Sequence, residues 1–151
     1  GELDPNFWLT KEQLLEAQNE LNEAAKLIEQ AFSDLDDASY TYNDAYSYLK
    51  DAQTGAKRAR KYIEEVCLLL IREDFNIDIT LSGKRIDLED SLYNADYHFG
   101  QAESTYVGKG QDSAYYRTVW GDIRAEIAAG NVSLKDAQEV ISWLLRNLYY
   151  I

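Results

Sequence analysis

The chain contains a single cysteine, a single histidine and no long apolar run. With Cys67 as the only cysteine, no disulfide can form within the chain, so nothing in it requires an oxidising compartment. The longest apolar run, residues 66–71, is far shorter than the ~20 residues that a membrane-spanning helix needs. We therefore expect a cytoplasmic protein that does not enter the membrane.

Basic residues are also scarce: the chain has 15 Lys and Arg but 27 Asp and Glu, which gives a net charge of −12. Because cations bind the phosphates of nucleic acids, we expect no direct contact with nucleic acid. The charge favours a protein partner with a basic surface, although acidity can also serve solubility alone. With 46% apolar residues, the 151 residues can form one core, so a single helical domain over residues 1–151 is expected.

The residue types that most often carry catalysis are few or badly placed. His98 has Ala95 three positions before it, so the Glu-x-x-His motif of di-iron carboxylate bundles is missing. Cys67 precedes three leucines, where we expect a buried and unreactive thiol. We predict no catalytic residue and no enzyme, and a site built from scattered carboxylates stays the alternative.

One segment resembles the start of a calcium-binding loop. Asp74, Asn76 and Asp78 have the spacing of the first three ligands of an EF-hand. The sixth position, which requires glycine, is Ile79, and the twelfth, which requires glutamate, is Arg85. We therefore predict no metal site and no cofactor.

The strongest positive signal is a heptad repeat between residues 14 and 70. Every seventh residue from Leu14 is apolar or aromatic, and a second series, three residues later, is almost entirely alanine. The two series are Leu14, Leu21, Ile28, Leu35, Tyr42, Leu49, Ala56, Ile63 and Leu70, and Ala17, Ala24, Ala31, Ala38, Ala45, Ala52, Ala59 and Val66. Such a pattern predicts coiled-coil packing, and its small residues predict a closely packed antiparallel neighbour. Further apolar residues beside the seam favour a bundle of three or four helices.

The length of the first helix depends on how one break signal is interpreted. Thr54 and Gly55 are the only break signal before Asp74, yet the heptad continues beyond them in phase. We therefore favour one continuous helix over residues 11–74, with a pair of helices that turns at Gly55 as the alternative. A continuous helix would be on the order of 95 Å long, and we expect a homodimer to cover it.

The remaining residues predict shorter elements. Residues 75–86 alternate apolar with polar side chains and predict a short hairpin or extended connector. Residues 87–151 predict three packing helices: one from Asp87, one from about Asp112 that ends at Gly130 and Asn131, and one from Ser133. The predicted fold class is all-α, an elongated antiparallel helical bundle or coiled coil.

The candidate partner-binding residues are seven carboxylates and two tyrosines. They are Glu12, Glu16, Glu20, Glu23, Asp34, Asp36, Asp37, Tyr40 and Tyr48. The four glutamates recur every three or four residues and so share one helix face. Residues 40–48 hold four tyrosines on different helix faces, so some should be exposed and suited to binding. The alternative is that these tyrosines pack against other helices.

Two functions fit these features. The first is a non-enzymatic protein that docks its acidic face on a basic partner. In size and charge, though in no motif, the chain is similar to viral anti-restriction and anti-CRISPR proteins, and this resemblance implies an inhibitor that mimics nucleic acid on a basic binding surface. The second is a self-associating structural or scaffold coiled coil, in which the acidic end meets the basic cluster at residues 57–61 of another copy.

Overall fold

The computed structural model describes residues 11–40, 44–70, 82–110 and 112–147. These ranges contain four α-helices: α1 (Lys11–Tyr40), α2 (Ala45–Leu70), α3 (Ser82–Ser104) and α4 (Ser113–Asn147). The described ranges contain no β-strand. The all-α prediction is therefore confirmed. None of the described helices is long and apolar enough to cross a membrane.

The helices form an antiparallel four-helix bundle. α1 and α3 each pack against α2 and α4, and they occupy opposite corners. Trp120 Nε1, near the start of α4, donates to the Leu35 carbonyl oxygen near the end of α1 at 2.6 Å. Gln138 Nε2, farther along α4, donates to Asn22 Oδ1, farther back in α1, at 3.0 Å. Contacts between the other adjacent helices run in the same opposite order, which gives an up-down-up-down arrangement.

The heptad series fill the core of the bundle. Every member of the two series that lies in the described ranges is buried. The small members allow α1 and α2 to approach closely: a Cβ added to Gly55 would lie 3.4 Å from Ala31 Cβ and 3.3 Å from the Leu27 carbonyl oxygen. Close packing of α2 against an antiparallel neighbour is thus found within one chain.

The prediction of one continuous helix over residues 11–74 is wrong. α1 ends at Tyr40 and α2 begins at Ala45, so the chain reverses there and not at Gly55. The seam alanines on either side of the turn, Ala38 and Ala45, are one heptad apart, so the second helix resumes in phase with the first. The length argument for a second chain along this helix therefore no longer applies.

The two helices predicted from about Asp112 and from Ser133 are one helix, α4, which is the longest of the four described helices. Gly130, expected to end a helix, lies buried in its middle. A Cβ at this position would be 2.5 Å from Phe99 Cε1. The glycine therefore makes room for the aromatic ring of α3, and residues 87–147 contain two helices where three were predicted.

The connector predicted over residues 75–86 extends too far toward the C-terminus, by five residues. α3 begins at Ser82, so residues 82–86 are helical and Asp87 lies inside the helix. Residues 71–81 lie outside the described ranges. At the other end, α3 stops at Ser104, and Tyr106 beyond it is 77% exposed.

A buried amide joins the middle of α2 to the end of α3. Gln53 is 4% exposed, and its Nε2 donates to the carbonyl oxygens of Ala102 at 3.0 Å and Thr105 at 2.6 Å. The last carbonyls of a helix have no partner within that helix. Gln53 supplies the missing donor and holds the end of α3 against α2.

Candidate interaction surfaces

The four predicted glutamates lie along the outer side of α1. Glu12, Glu16 and Glu23 are exposed, whereas Glu20 is half-buried beside α2. Lys26 Nζ lies 3.0 Å from Glu23 Oε1 in an exposed ion pair, which contributes little to stability. The four carboxylates thus share one surface, as the spacing predicted.

α2 adds a fifth carboxylate to this surface. Burial raises the pKa of Glu20, and the charges of Glu65, Glu16 and Glu23 raise it further. Glu65 belongs to α2 and was not predicted, because it comes opposite Glu20 only if the chain turns near residue 42. We call the group Glu12, Glu16, Glu20, Glu23 and Glu65 the acidic face.

The three predicted aspartates form a separate group near the turn between α1 and α2. Burial raises the pKa of Asp34, and Asp51 and Asp37 raise it further, while a hydrogen bond from Gln30 Nε2 to Asp34 Oδ1, at 3.2 Å, lowers it. Asp36 and Asp37 are exposed. From Glu20 to Asp34 the helix advances about 21 Å, so the predicted carboxylates occupy two ends of the hairpin.

The predicted tyrosines do not form an exposed patch in the described ranges. Tyr48 is half-buried and packs against the core, as does Tyr46. Lys109 Nζ lies 6.0 Å from the centre of the Tyr46 ring. Tyr40 is the last residue of α1, and its side chain lies outside the described part of the chain.

The basic cluster of α2 is divided between two roles. Lys57, Arg58 and Lys61 are exposed. Arg60 turns toward α3, where its Nε lies 3.0 Å from Asp96 Oδ1 and its Nη1 2.8 Å from Glu103 Oε2. These hydrogen bonds raise the pKa of Arg60. Arg60 therefore connects two helices.

Neither Cys67 nor His98 has the surroundings of a catalytic residue. Burial raises the pKa of the Cys67 thiol to about 11, with Asp96, Glu64 and Glu89 adding to the effect. A thiol with this pKa is protonated at neutral pH and is a poor nucleophile. His98 Nδ1 lies 2.8 Å from Glu126 Oε2 and links α3 to α4. Within the described ranges, no group of three or more His, Cys, Asp or Glu could hold a metal ion.

A groove of about 930 Å³ runs between α3 and α4. Both signs of charge line it, from Lys84 and Arg146 to Asp87 and Glu139. Lys84 Nζ lies 5.0 Å from the centre of the Trp143 ring and is directed to that ring. A groove with this mixture of charges favours no single class of small ligand.

Sequence reasoning missed an exposed apolar row on α3. Ile86 is 54% exposed, Tyr93 56% and Tyr97 58%. The row was overlooked because residue 86 was assigned to a connector and because only the inner seam of α3 was considered. The two spacings, of seven and four residues, would have placed the three side chains on one helix face.

The chain matches no protein-family model, no curated protein and no solved structure. Its function therefore has to be inferred from its own residues and their arrangement.

Proposed function

We propose that the protein is a non-enzymatic interaction protein whose acidic face docks on a basic surface of another protein. The observation that carries this proposal is the meeting of five carboxylates across the α1–α2 hairpin, where burial first, and then the charges of Glu65, Glu16 and Glu23, raise the pKa of Glu20. Like charges placed together destabilise a fold. A cationic partner would relieve this repulsion, and the relief would add to the free energy of binding. Functional sites are expected to contain such locally unfavourable arrangements.

The finer form of the proposal is that the basic surface is one that normally holds nucleic acid. α1 spans 30 residues and contains eight Asp and Glu, or one carboxylate per roughly 6 Å of helix axis. One strand of B-DNA carries one phosphate per about 3.4 Å. Lys11 and Lys26 offset two of these charges, so α1 has one net negative charge per roughly 7.5 Å, a little under half the linear charge density of a strand, which suits a nucleic-acid mimic such as certain viral inhibitors use.

The experiment is a displacement assay with defined probes. A fluorescent DNA duplex is bound to each of a panel of purified basic proteins, including a restriction endonuclease and a CRISPR nuclease, and the chain is titrated in. The test variant changes Glu12, Glu16, Glu20 and Glu23 to Lys. Since the changes are on the surface of α1, the helix should persist by circular dichroism.

A matched control changes four exposed acids outside α1 to Lys: Asp87, Asp122, Asp136 and Glu139. Both variants move the net charge from −12 to −4, because each of the four changes adds two charges. We expect the α1 variant to lose displacement and the control to keep most of it. Equal loss in both variants would mean that net charge alone matters, and failure of the unaltered chain to displace DNA from any probe would contradict the mimic proposal.

A further inference from the structure

α3 carries two heptad rows on opposite sides. The inner row, Leu88, Leu92, Ala95, Phe99 and Ala102, is buried in the core. The outer row is Ile86, Asp90, Tyr93, Tyr97, Gly100 and Ser104. Its steps of four, three, four, three and four residues are those of a coiled-coil seam. Its three large apolar members are each more than half exposed, so this seam has no partner within the described chain.

We propose that the outer row is a dimer interface on which α3 of a second copy packs antiparallel about a two-fold axis. The axis lies midway between Tyr93 and Tyr97. With this register Tyr93 faces Tyr97 of the second copy, Asp90 faces Gly100, and Ile86 faces Ser104. Each large side chain at one end of the row thus meets a small residue at the other end, which is the self-complementarity that a two-fold interface requires.

Charge supports the same register. The Arg60 guanidinium lies over Gly100, since a Cβ on that glycine would be 3.2 Å from Arg60 Cζ. Its Nε and Nη1 bind Asp96 and Glu103, and the described residues leave its Nη2 without a partner. Asp90 is exposed. In the antiparallel pair, Asp90 of each copy faces the other copy's Arg60, which gives two ion pairs per dimer.

A parallel pair would be worse on both counts. It would set Asp90 against Asp90, and it would bring together the two Arg60 guanidiniums that lie over Gly100. The position of α3 in the bundle also favours self-association, because α1 lies at the opposite corner. The two acidic faces of the dimer would therefore point away from each other and remain accessible.

The expected dimer is reversible. The outer row covers 18 residue steps, or about 27 Å, and one helix on one helix of this length buries less than the ~1,600 Å² of a standard interface. Sedimentation velocity of the full chain over a wide concentration range should show a monomer–dimer equilibrium.

The test variant is Ile86→Glu with Tyr93→Glu, both at exposed positions of α3. The charge-matched control is Tyr106→Glu with Val132→Glu, two exposed positions outside the row. We expect the test variant to raise the dissociation constant at least roughly 100-fold, because each change occurs twice in a two-fold interface. The control should change it by less than about threefold, and both variants should keep the helical circular dichroism of the unaltered chain.

A single change tests the register. Asp90→Lys places a cation against Arg60 of the other copy, so it should weaken the dimer at least about tenfold, and Asp90→Asn should weaken it less. A chain that stays monomeric at the highest concentration overturns the proposal. So does a test variant that dissociates no more readily than its control, and an Asp90→Lys variant with an unchanged constant overturns the antiparallel register.

Discussion

Two glycines of α4 provide a test of how the bundle is packed. Gly121 and Gly130 lie in the same helix, and replacing either with alanine should gain about 1 kcal/mol of helix propensity. Nothing lies within 4 Å of a Cβ added at Gly121, whereas a Cβ at Gly130 would meet three atoms of the Phe99 ring at 2.5 to 3.0 Å. The difference between the two variants therefore isolates the packing term.

The packing term can be estimated from the overlap. Carbon atoms in contact lie about 3.5–4.0 Å apart, so the added methyl group would overlap the ring by about 1 Å. Phe99 is fully buried and cannot move into solvent. Overpacking of this kind costs about 1–3 kcal/mol. We expect Gly121→Ala to stabilise the protein and Gly130→Ala to destabilise it or leave it unchanged, with about 1–3 kcal/mol between them.

Urea unfolding followed by circular dichroism measures both variants, provided that the slope with urea is unchanged. In thermal unfolding each kcal/mol should shift the midpoint by about 2–4 °C. A second step changes Phe99 to Leu: it should cost less stability in the Gly130→Ala background than in the unaltered chain, because the smaller side chain relieves the overlap. Equal stabilisation by both alanines would refute the close contact between α3 and α4 at this point.

Two further predictions concern titratable groups. Glu20→Gln should stabilise the protein at pH 7 by about 0.6–1.5 kcal/mol, because it removes a partly buried charge and its repulsion from three carboxylates, each worth about 0.2–0.5 kcal/mol. Since the pKa of Glu20 is raised in the folded state, the destabilisation by its charge appears as the pH rises through that pKa and is absent below the ordinary value of 4.5. Thermal unfolding below pH 4.5 should therefore show no stabilisation by Glu20→Gln. Glu29→Gln, on the exposed side of α1, is the control, and a stabilisation by Glu20→Gln that persists at low pH would contradict the electrostatic explanation. With a pKa of about 11, Cys67 should react with iodoacetamide at pH 8 at least roughly 100-fold more slowly in the folded protein than in concentrated urea, and equal rates would show that the thiol is not protected.

The core could be predicted from the sequence, because burial follows the heptad whichever way the chain turns. Leu21 and Ala24 face the core equally well in a straight rod or in a hairpin. The turn could not be predicted for the same reason: one heptad separates Ala38 from Ala45, so the pattern continues in phase across the reversal.

The roles of Gly55, where the alternative placed a turn, and of Gly130, where a helix end was predicted, could not be read from the sequence, because one residue type serves opposite purposes. Glycine can end a helix, and it can also let a neighbouring side chain approach the backbone. Gly55 and Gly130 both allow such a close approach, and the side chains that approach them, Ala31 and Phe99, belong to other helices. Only the tertiary arrangement distinguishes the two cases.

Some residues of the candidate surfaces could be predicted from local spacing, and others depend on the tertiary structure. The run from Glu12 to Glu23 was visible because its members share one helix. Its fifth member, Glu65, depends on the position of the turn and was missed. The outer row of α3 was missed although its spacing is local, since the exposure of Tyr93 and Tyr97 depends on which side of α3 the core takes.

Gln53 has a consequence for how the bundle comes apart. Helix ends usually fray independently, because their last hydrogen bonds are few and solvated. The end of α3 is held by an amide from the middle of α2, so its carbonyls are released only when a buried contact between the two helices opens. The last turn of α3 therefore belongs to the same cooperative unit as the centre of α2, and its amides should exchange with solvent no faster than those around Gln53.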